Sequence, residues 1–453
     1  MNTIAIYLIA YIGILLLVTW YLSRKQSKED FLIAGRDRSG WHILLSSFAA
    51  AIGAGYFVTY TGFAYEFGIG VFAMLSGIII GYLIFSYWAL PRITKHAREQ
   101  NFYTIGHYVY ERTRNAVAAR TADFLTIVIL GAWLLVGIIS GAEIISEFEL
   151  LSYSTAAILI SLAALLYLLF AGLKAVIFTD IIQSIIIFVL FIVVTFGVIN
   201  TGNFVELHTF QPGKLEVGTT IGFFLYGMFS IFSFSNRYQL AYSAKTKSGM
   251  KNGMGLSVIP MLLMAYFLLL IGVFMSLEAP GLDSDLVFTE ALKQFLQPEL
   301  VPLAVVLFFA GIMSSADTTM YGIASHIALK GNPQKNDERS ITRKKGIRIV
   351  LGILTLIVIA IAILFPDVVN VSIVAGAVSV IPSLGMIYLI ANGKYVSRFF
   401  GAIGGSVIGF IAGLLYFGLV PTVLLPVLAL SVIGLVSGRW IVIIFHKMSK
   451  KEK

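Results

Sequence analysis

Thirteen apolar runs, most of them close to twenty residues long, constrain this chain more than any other feature. A run of about 20 apolar residues is long enough to cross the hydrocarbon core of a bilayer as a helix. Inside lipid every backbone N–H and C=O must be satisfied internally, which leaves only helices and closed barrels. We place the runs at 4–20, 41–66, 70–90, 121–145, 155–170, 176–198, 220–234, 255–276, 301–323, 348–365, 369–390, 400–419 and 422–445. With 58% hydrophobic and 12% charged residues, the chain reads as an all-α polytopic membrane protein and one membrane domain spanning 1–453. Short loops leave no room for a separate soluble domain.

The net charge of +9 would suit a nucleic-acid partner, but its distribution points elsewhere. Apart from Lys174, Lys214, Lys293 and Arg439, all 32 Lys and Arg fall in 23–40, 92–120, 236–252, 328–348, 391–399 and 447–453. The opposite loops hold Glu206, Glu216, Glu278, Asp283, Asp285 and Glu290. The positive-inside rule then expects a cell (inner) membrane protein with its N-terminus outside and its C-terminus cytoplasmic. Ile4 to Trp20 is too long for a signal-peptide core and reads as a first span. Leu286 to Phe295 reads as a short amphipathic helix in an outside loop.

Polar residues inside the apolar runs are the next constraint. Ala310 to Thr319 reads A-G-I-M-S-S-A-D-T-T within the ninth run. Ser314, Ser315, Asp317, Thr318 and Thr319 would be costly against lipid, so they face a bundle interior, a cavity or an ion path. Oxygen-only donors suit a hard cation; interhelical hydrogen bonding by the hydroxyls is the other reading. Asp180 and Gln183 share one face of the sixth span. In the second span Gly53 and Gly55 mark either close packing or a break that frees backbone carbonyls. At a rise of ~1.5 Å per residue, Asp180 lies about 9 Å from the cytoplasmic end, Ile52 about 16 Å, and Ser314 to Thr318 about 14–20 Å. Three helices thus bring polar groups or breaks to one level near the midplane, where transporters bind ions and substrate.

The seventh span is short and mixed, with Gly227, Ser230, Ser233 and Ser235 interrupting a wall of Phe. It lies five spans after the irregular second one, which is the pattern of an inverted repeat; a plain lipid-facing Phe stripe is the alternative. Pro382 predicts a kink in the eleventh span. Gly401, Gly405, Gly409 and Gly413 form a small-residue face for tight packing, within the bundle or across a homo-oligomer. Cys is absent, and the six His show no metal-ligand spacing. Without a nucleophile–base pair, catalytic residues are not expected and an enzyme is the least favoured class.

Five stretches together resemble the sodium:solute symporters, a family that includes sodium/proline, sodium/sugar, sodium/pantothenate, sodium/sialic acid and sodium/iodide carriers. They are D-F-L-I-A-G-R (30–36), A-A-A-I-G-A-G with T-G-F-A-Y-E-F-G (49–68), F-T-D-I-I-Q (178–183), Y-Q-L-A-Y-S-A-K-T (238–246) and A-G-I-M-S-S-A-D-T (310–318). The resemblance implies a LeuT-type core of two inverted five-helix repeats, at 41–198 and 219–391. An extra helix would precede it at 4–22 and two would follow at 398–446. It implies a main sodium site at Ala49, Ile52, Gly311, Ser314 and Ser315. A second cation or proton site would use Asp180, Ser314, Asp317 and Thr318. Asp317 stands where the family's pattern has a hydroxyl, so this carboxylate either strengthens cation binding or carries a proton. Ala51 likewise replaces a residue that is often polar in relatives. Implied solute residues are Tyr56, Thr59, Phe229, Ser233 and Asn236, with Ser383 as an addition. For an anionic solute, Arg237 and helix termini are the available counter-charges. The expected function is a symporter driven by Na+ that imports a small organic solute by alternating access. The alternatives are a proton-coupled carrier of the same fold and a transporter-like sensor without net flux.

Overall fold

The computed structural model describes residues 2–24, 27–169, 172–201, 216–329 and 340–451. Helix α1 (Asn2–Ser23) is followed by the short α2 (Lys28–Ile33), which opens with a capping box between Ser27 and Asp30. The second apolar run forms two helices, α3 (Gly40–Ala49) and α4 (Ala54–Phe67), with a break between them. Next come α5 (Ala73–Ile84), α6 (Leu90–Ile93), α7 (Ile105–Thr113), α8 (Ala116–Glu147), α9 (Tyr153–Leu168) and α10 (Leu173–Thr201). The loop read at 199–219, with Glu206 and Lys214, lies largely outside the described residues.

The second half repeats the broken-helix device. Helix α11 (Val217–Phe229) runs into a 3-10 turn at Ser230–Ser233, then turns by 45° into α12 (Ser235–Tyr242). It continues with α13 (Lys247–Leu256), α14 (Val258–Glu278), α15 (Val287–Phe295), α16 (Val301–Ala328) and α17 (Ser340–Leu364). The expected kink falls between α18 (Val368–Val380) and α19 (Ser383–Ile390), and α20 (Val396–Phe417) and α21 (Leu424–Lys451) close the chain. The amphipathic helix expected at Leu286 to Phe295 is α15, which buries Val287, Phe288, Ala291 and Leu292.

Among the described residues nine helical stretches are long and apolar enough to cross a membrane, or ten with the bent pair Val217–Ser233 and Ser235–Tyr242. Ile6–Leu22 and Tyr153–Leu166 are shorter apolar helices. The protein is therefore a multi-pass membrane protein. One stretch, Gly55–Ile93, holds 39 residues. Straight, it would measure about 58 Å, nearly twice a bilayer core. It turns instead at Gly68, whose φ of 65° sits in the left-handed region, and the sequence reading divides it between two spans there.

Helix α16 runs through the centre of the molecule against α8, α10, α3 and α4. Every residue from Ala304 to His326 is buried except Val306 and Ser315. This is where a helix carrying five polar side chains in one turn and a half can be stable. At the other end of the chain the structure decides between the two expected partners of the small-residue face. A Cβ on Gly401, Gly405 or Gly409 would lie 2.1, 2.0 or 2.2 Å from the carbonyl oxygens of Gly434, Leu430 and Pro426, and one on Gly413 would lie 2.6 Å from Val423. The face offered for a homo-oligomer is spent within the chain, where α20 and α21 press backbone against backbone.

Candidate functional site

Two carbonyls at a helix break begin the site. At its end α3 tightens, with Ala51 N donating to Phe48 O (3.0 Å) and Ile52 N to Ala49 O (3.1 Å). Gly53 then takes an extended backbone, and α4 starts without a side-chain cap. The carbonyls of Ala49 and Ile52 are left outside a regular helix ladder. Ser314 of α16 reaches into this break. Its Oγ lies 3.0 Å from Ala49 O, 3.5 Å from Ile52 O and 3.0 Å from Gly311 O. One hydroxyl has a single proton and serves one acceptor fully. Three carbonyls and a hydroxyl converging on one buried point are the donor chemistry of a hard cation.

Ser315 faces the other way. Its Oγ donates to Ile312 O (3.2 Å) and lies against Gly53, where an added Cβ would come within 2.5 Å of it. A glycine at 53 is what lets α16 approach the break.

A second polar cluster lies beside the first, between α3, α10, α16 and α1. Asp180 is fully buried, Ser46 Oγ donates to its Oδ2, and its Oδ1 has no hydrogen-bond partner. Gln183 donates to Tyr11 Oη (2.9 Å). Asp317 Oδ1 accepts from the Thr318 amide (2.5 Å) and its hydroxyl (3.1 Å). Asp180, Thr318, Ser46, Asn236 and Arg237 line one small space.

A cavity of about 130 Å³ opens on the far side of Ser315. Tyr56, Thr59 and Tyr60 come from α4, Tyr82 from α5, Trp133 and Gly137 from α8, and Tyr226 from α11. Ser230, Phe234, Asn236 and Arg237 come from the second break, and Ser315 and Thr319 from α16. Tyr56 and Tyr60 stack at 4.1 Å, Tyr56 Oη donates to Met261 O (2.8 Å), and Trp133 Nε1 donates to Ser379 (3.0 Å). Toward the basic loops, Arg237 donates to Ser47 O (2.5 Å) and Gln239 to Ser325 (2.6 Å). Toward the acidic loops, the Thr59 and Ser372 hydroxyls meet at 2.7 Å, and Phe63 and Phe67 pack on Phe223.

The loop after α14 seals that acidic side. Tyr65 Oη donates to Ala279 O (2.7 Å), and Asp285 accepts from the Val368 and Val369 amides (2.8 Å each) at the start of α18. Burial pushes the Asp285 carboxyl up to about 6, Asp367 and Asp283 add to this, and the two amides oppose it. Its unfolded value is about 3.9. The folded state therefore holds more protons than the unfolded one between those values. This group favours the fold most below pH ~4 and loses that contribution as the pH rises through its folded value. Asp285→Asn should flatten the slope. Followed from pH 7 down to 4, the unfolding midpoint of the variant should gain less than that of the natural protein.

The comparisons with known proteins point the same way as this geometry. Residues 31–212 match the model of the sodium:solute symporter family. Among curated proteins none matches. The fold is similar to that of a Na+-coupled sialic acid symporter solved in a substrate-bound outward-open state, with a TM-score of 0.77 at 15% identity, over 97% of this chain and 98% of that one. It is also similar to a nucleobase-cation-symport-1 family transporter in a closed conformation with bromovinylhydantoin bound (TM-score 0.55, 12% identity, 90% and 94% covered). A third match is a manganese transporter from Eremococcus coleocola (TM-score 0.50, 12% identity, 88% and 95% covered). At these identities the likeness establishes the fold, which is that of the LeuT-type transporters.

Of the residues that the resemblance to sodium:solute symporters implies, Ala49, Ile52, Gly311 and Ser314 meet at one point, and Ser315 lies beside them. Asp180 and Thr318 share the neighbouring space, with Asp317 outside its lining. Tyr56, Thr59 and Asn236 line the cavity. Phe229, Ser233 and Ser383 do not. The face of α11 that lines the cavity carries Tyr226 and Gly227 and continues into Ser230 of the break, which turns Phe229 away to pack against the cluster around Val423 and Leu424. Ser233 and Ser383 hold each other at 2.9 Å, and Ser383 also donates to Phe229 O (2.8 Å). Sequence reasoning passed over Tyr60, Tyr82, Trp133 and Tyr226. A Trp in mid-span was a usable signal, because its N–H needs a partner inside the bundle.

Proposed function

We propose that this protein is a sodium-coupled symporter that imports a small organic solute by alternating access. It would cross the membrane thirteen times, N-terminus outside, with 41–198 and 219–391 as inverted repeats. The main sodium site is formed by the carbonyls of Ala49, Ile52 and Gly311 and the hydroxyls of Ser314 and Ser315. A turn of the Ser315 side chain away from Ile312 O completes that set. Asp180, Asp317 and Thr318 form the second cation or proton site, and the cavity beside Tyr56, Thr59 and Asn236 holds the solute.

The observation that carries this reading is the convergence of three carbonyls on the Ser314 hydroxyl at a helix break. A potential of ~100 mV is worth ~2.3 kcal/mol per charge, and a tenfold sodium gradient ~1.4 kcal/mol. One sodium therefore supports a concentration ratio of roughly 500 for a neutral solute.

The test is the thermal stability of the purified protein at equal ionic strength in NaCl, KCl and choline chloride. A site that binds only the folded state adds ~2.7 kcal/mol when sodium is 100-fold above its Kd. The midpoint should rise in NaCl alone. Equal midpoints in the three salts would remove the sodium reading.

A further inference from the structure

The cavity has one charged residue in its wall, Arg237, and no Asp, Glu, Lys or His. Arg237 is 5% exposed, and among the described residues it forms no ion pair. Its Nη1 reaches Ser47 O and Oγ, and its Nε has no hydrogen-bond partner. Asp180 lines the neighbouring space, its Oδ1 also without a hydrogen-bond partner, and offsets part of this charge without forming an ion pair with Arg237. A buried cation with no contacting counter-ion is costly, and in a binding protein a ligand can supply that contact.

The backbone adds to the same sign. Arg237 and Asn236 occupy the first turn of α12, and α4 begins at the opposite wall beside Gly53 and Gly55. Neither helix start has a side-chain cap. Two helix N-termini thus bring partial positive charge to the cavity. Asn236 is 8% exposed, and its Oδ1, an acceptor, has no hydrogen-bond partner and is open to a donor on the solute. Six aromatic side chains, Tyr56, Tyr60, Tyr82, Trp133, Tyr226 and Phe234, share the wall with aliphatic residues and the hydroxyls of Thr59, Ser230, Ser315 and Thr319. The volume is well below the ~300–1,000 Å³ of drug-sized sites.

The geometry points to a small monocarboxylate with an apolar or ring body as the solute, its carboxylate on Arg237 and its body among the rings. A guanidinium matches a carboxylate by paired donors, and the aromatic faces take the apolar remainder. This rests on the reading of the cavity as the solute site.

The experiment is thermal stability in NaCl with matched probes at up to tens of millimolar: phenylacetate against phenylacetamide, and 4-methylpentanoate against its amide. The acids should raise the midpoint and the amides should not. Arg237→Gln should need ~10–100-fold more acid for the same gain, the size of a lost charge-assisted contact. Arg237→Lys keeps the charge and should fall between the two. Amides that stabilise as well as acids, acids that act equally on Arg237→Gln, or no response to either acid would each overturn the inference. Should Arg237→Gln fail to fold, the acid–amide contrast in the natural protein still decides. A sodium response without an acid response removes only this inference, whereas an acid response without sodium removes the coupling and leaves the solute class.

Discussion

Ser314→Ala should raise the sodium concentration that gives half-maximal stabilisation by about 10–100-fold. The reasoning is local. The variant keeps the three carbonyls of Ala49, Ile52 and Gly311 but removes the one side-chain oxygen at their centre. A hydroxyl dipole on a desolvated charge is worth ~1.5–3 kcal/mol, which is that range in affinity. In choline chloride the same change removes only the bridge from α16 to the break, at a cost of about 1 kcal/mol. The two conditions therefore separate loss of a ligand from general weakening. The measurement is the unfolding midpoint against sodium concentration for both proteins, with sodium-22 uptake into proteoliposomes as a second readout. An unchanged half-point in Ser314→Ala would place sodium elsewhere.

Gly77→Ala should be among the most damaging single-methyl additions in the chain. Helices α5 and α11 cross so closely that a Cβ on Gly77 would lie 2.1 Å from Phe224 O and 2.9 Å from Met228 N. One on Gly81 would lie 2.5 Å from Met228 O, and one on Gly227 would lie 2.4 Å from Met74 O. These neighbours are backbone and cannot swing aside, so the helices must part. Overpacking a rigid site costs about 1–3 kcal/mol, and a backbone clash belongs at the upper end. Function should fall with stability, because α11 supplies Tyr226 and Gly227 to the cavity wall. Gly131→Ala is the control: nothing lies within 4 Å of its added Cβ, and the helix gains up to ~1 kcal/mol of propensity. Thermal unfolding of the three proteins in one detergent checks the order. A midpoint for Gly77→Ala at or above that of Gly131→Ala would contradict the packing.

The chain itself determined that the protein is all-helical and multi-pass, and that the polar residues of α16 and α10 turn inward. Those follow from rules that act along a single helix: apolar length against bilayer thickness, and the cost of Ser314, Asp317 or Asp180 facing lipid. Gly77 and Gly81 drew no reading from the sequence, which does not name a packing partner for them. Only the tertiary structure decided that α11 fills that notch, and that α21 consumes the glycine face of α20. The cavity wall was likewise a tertiary outcome. Tyr82, Trp133 and Tyr226 lie on three helices far apart in the chain, and no periodicity within one helix says which faces will converge. Phe229 and Ser233 were misplaced for the same reason. The break after α11 changes the helical phase, and phase alone selects which side chains reach the cavity and which turn into the packing around it.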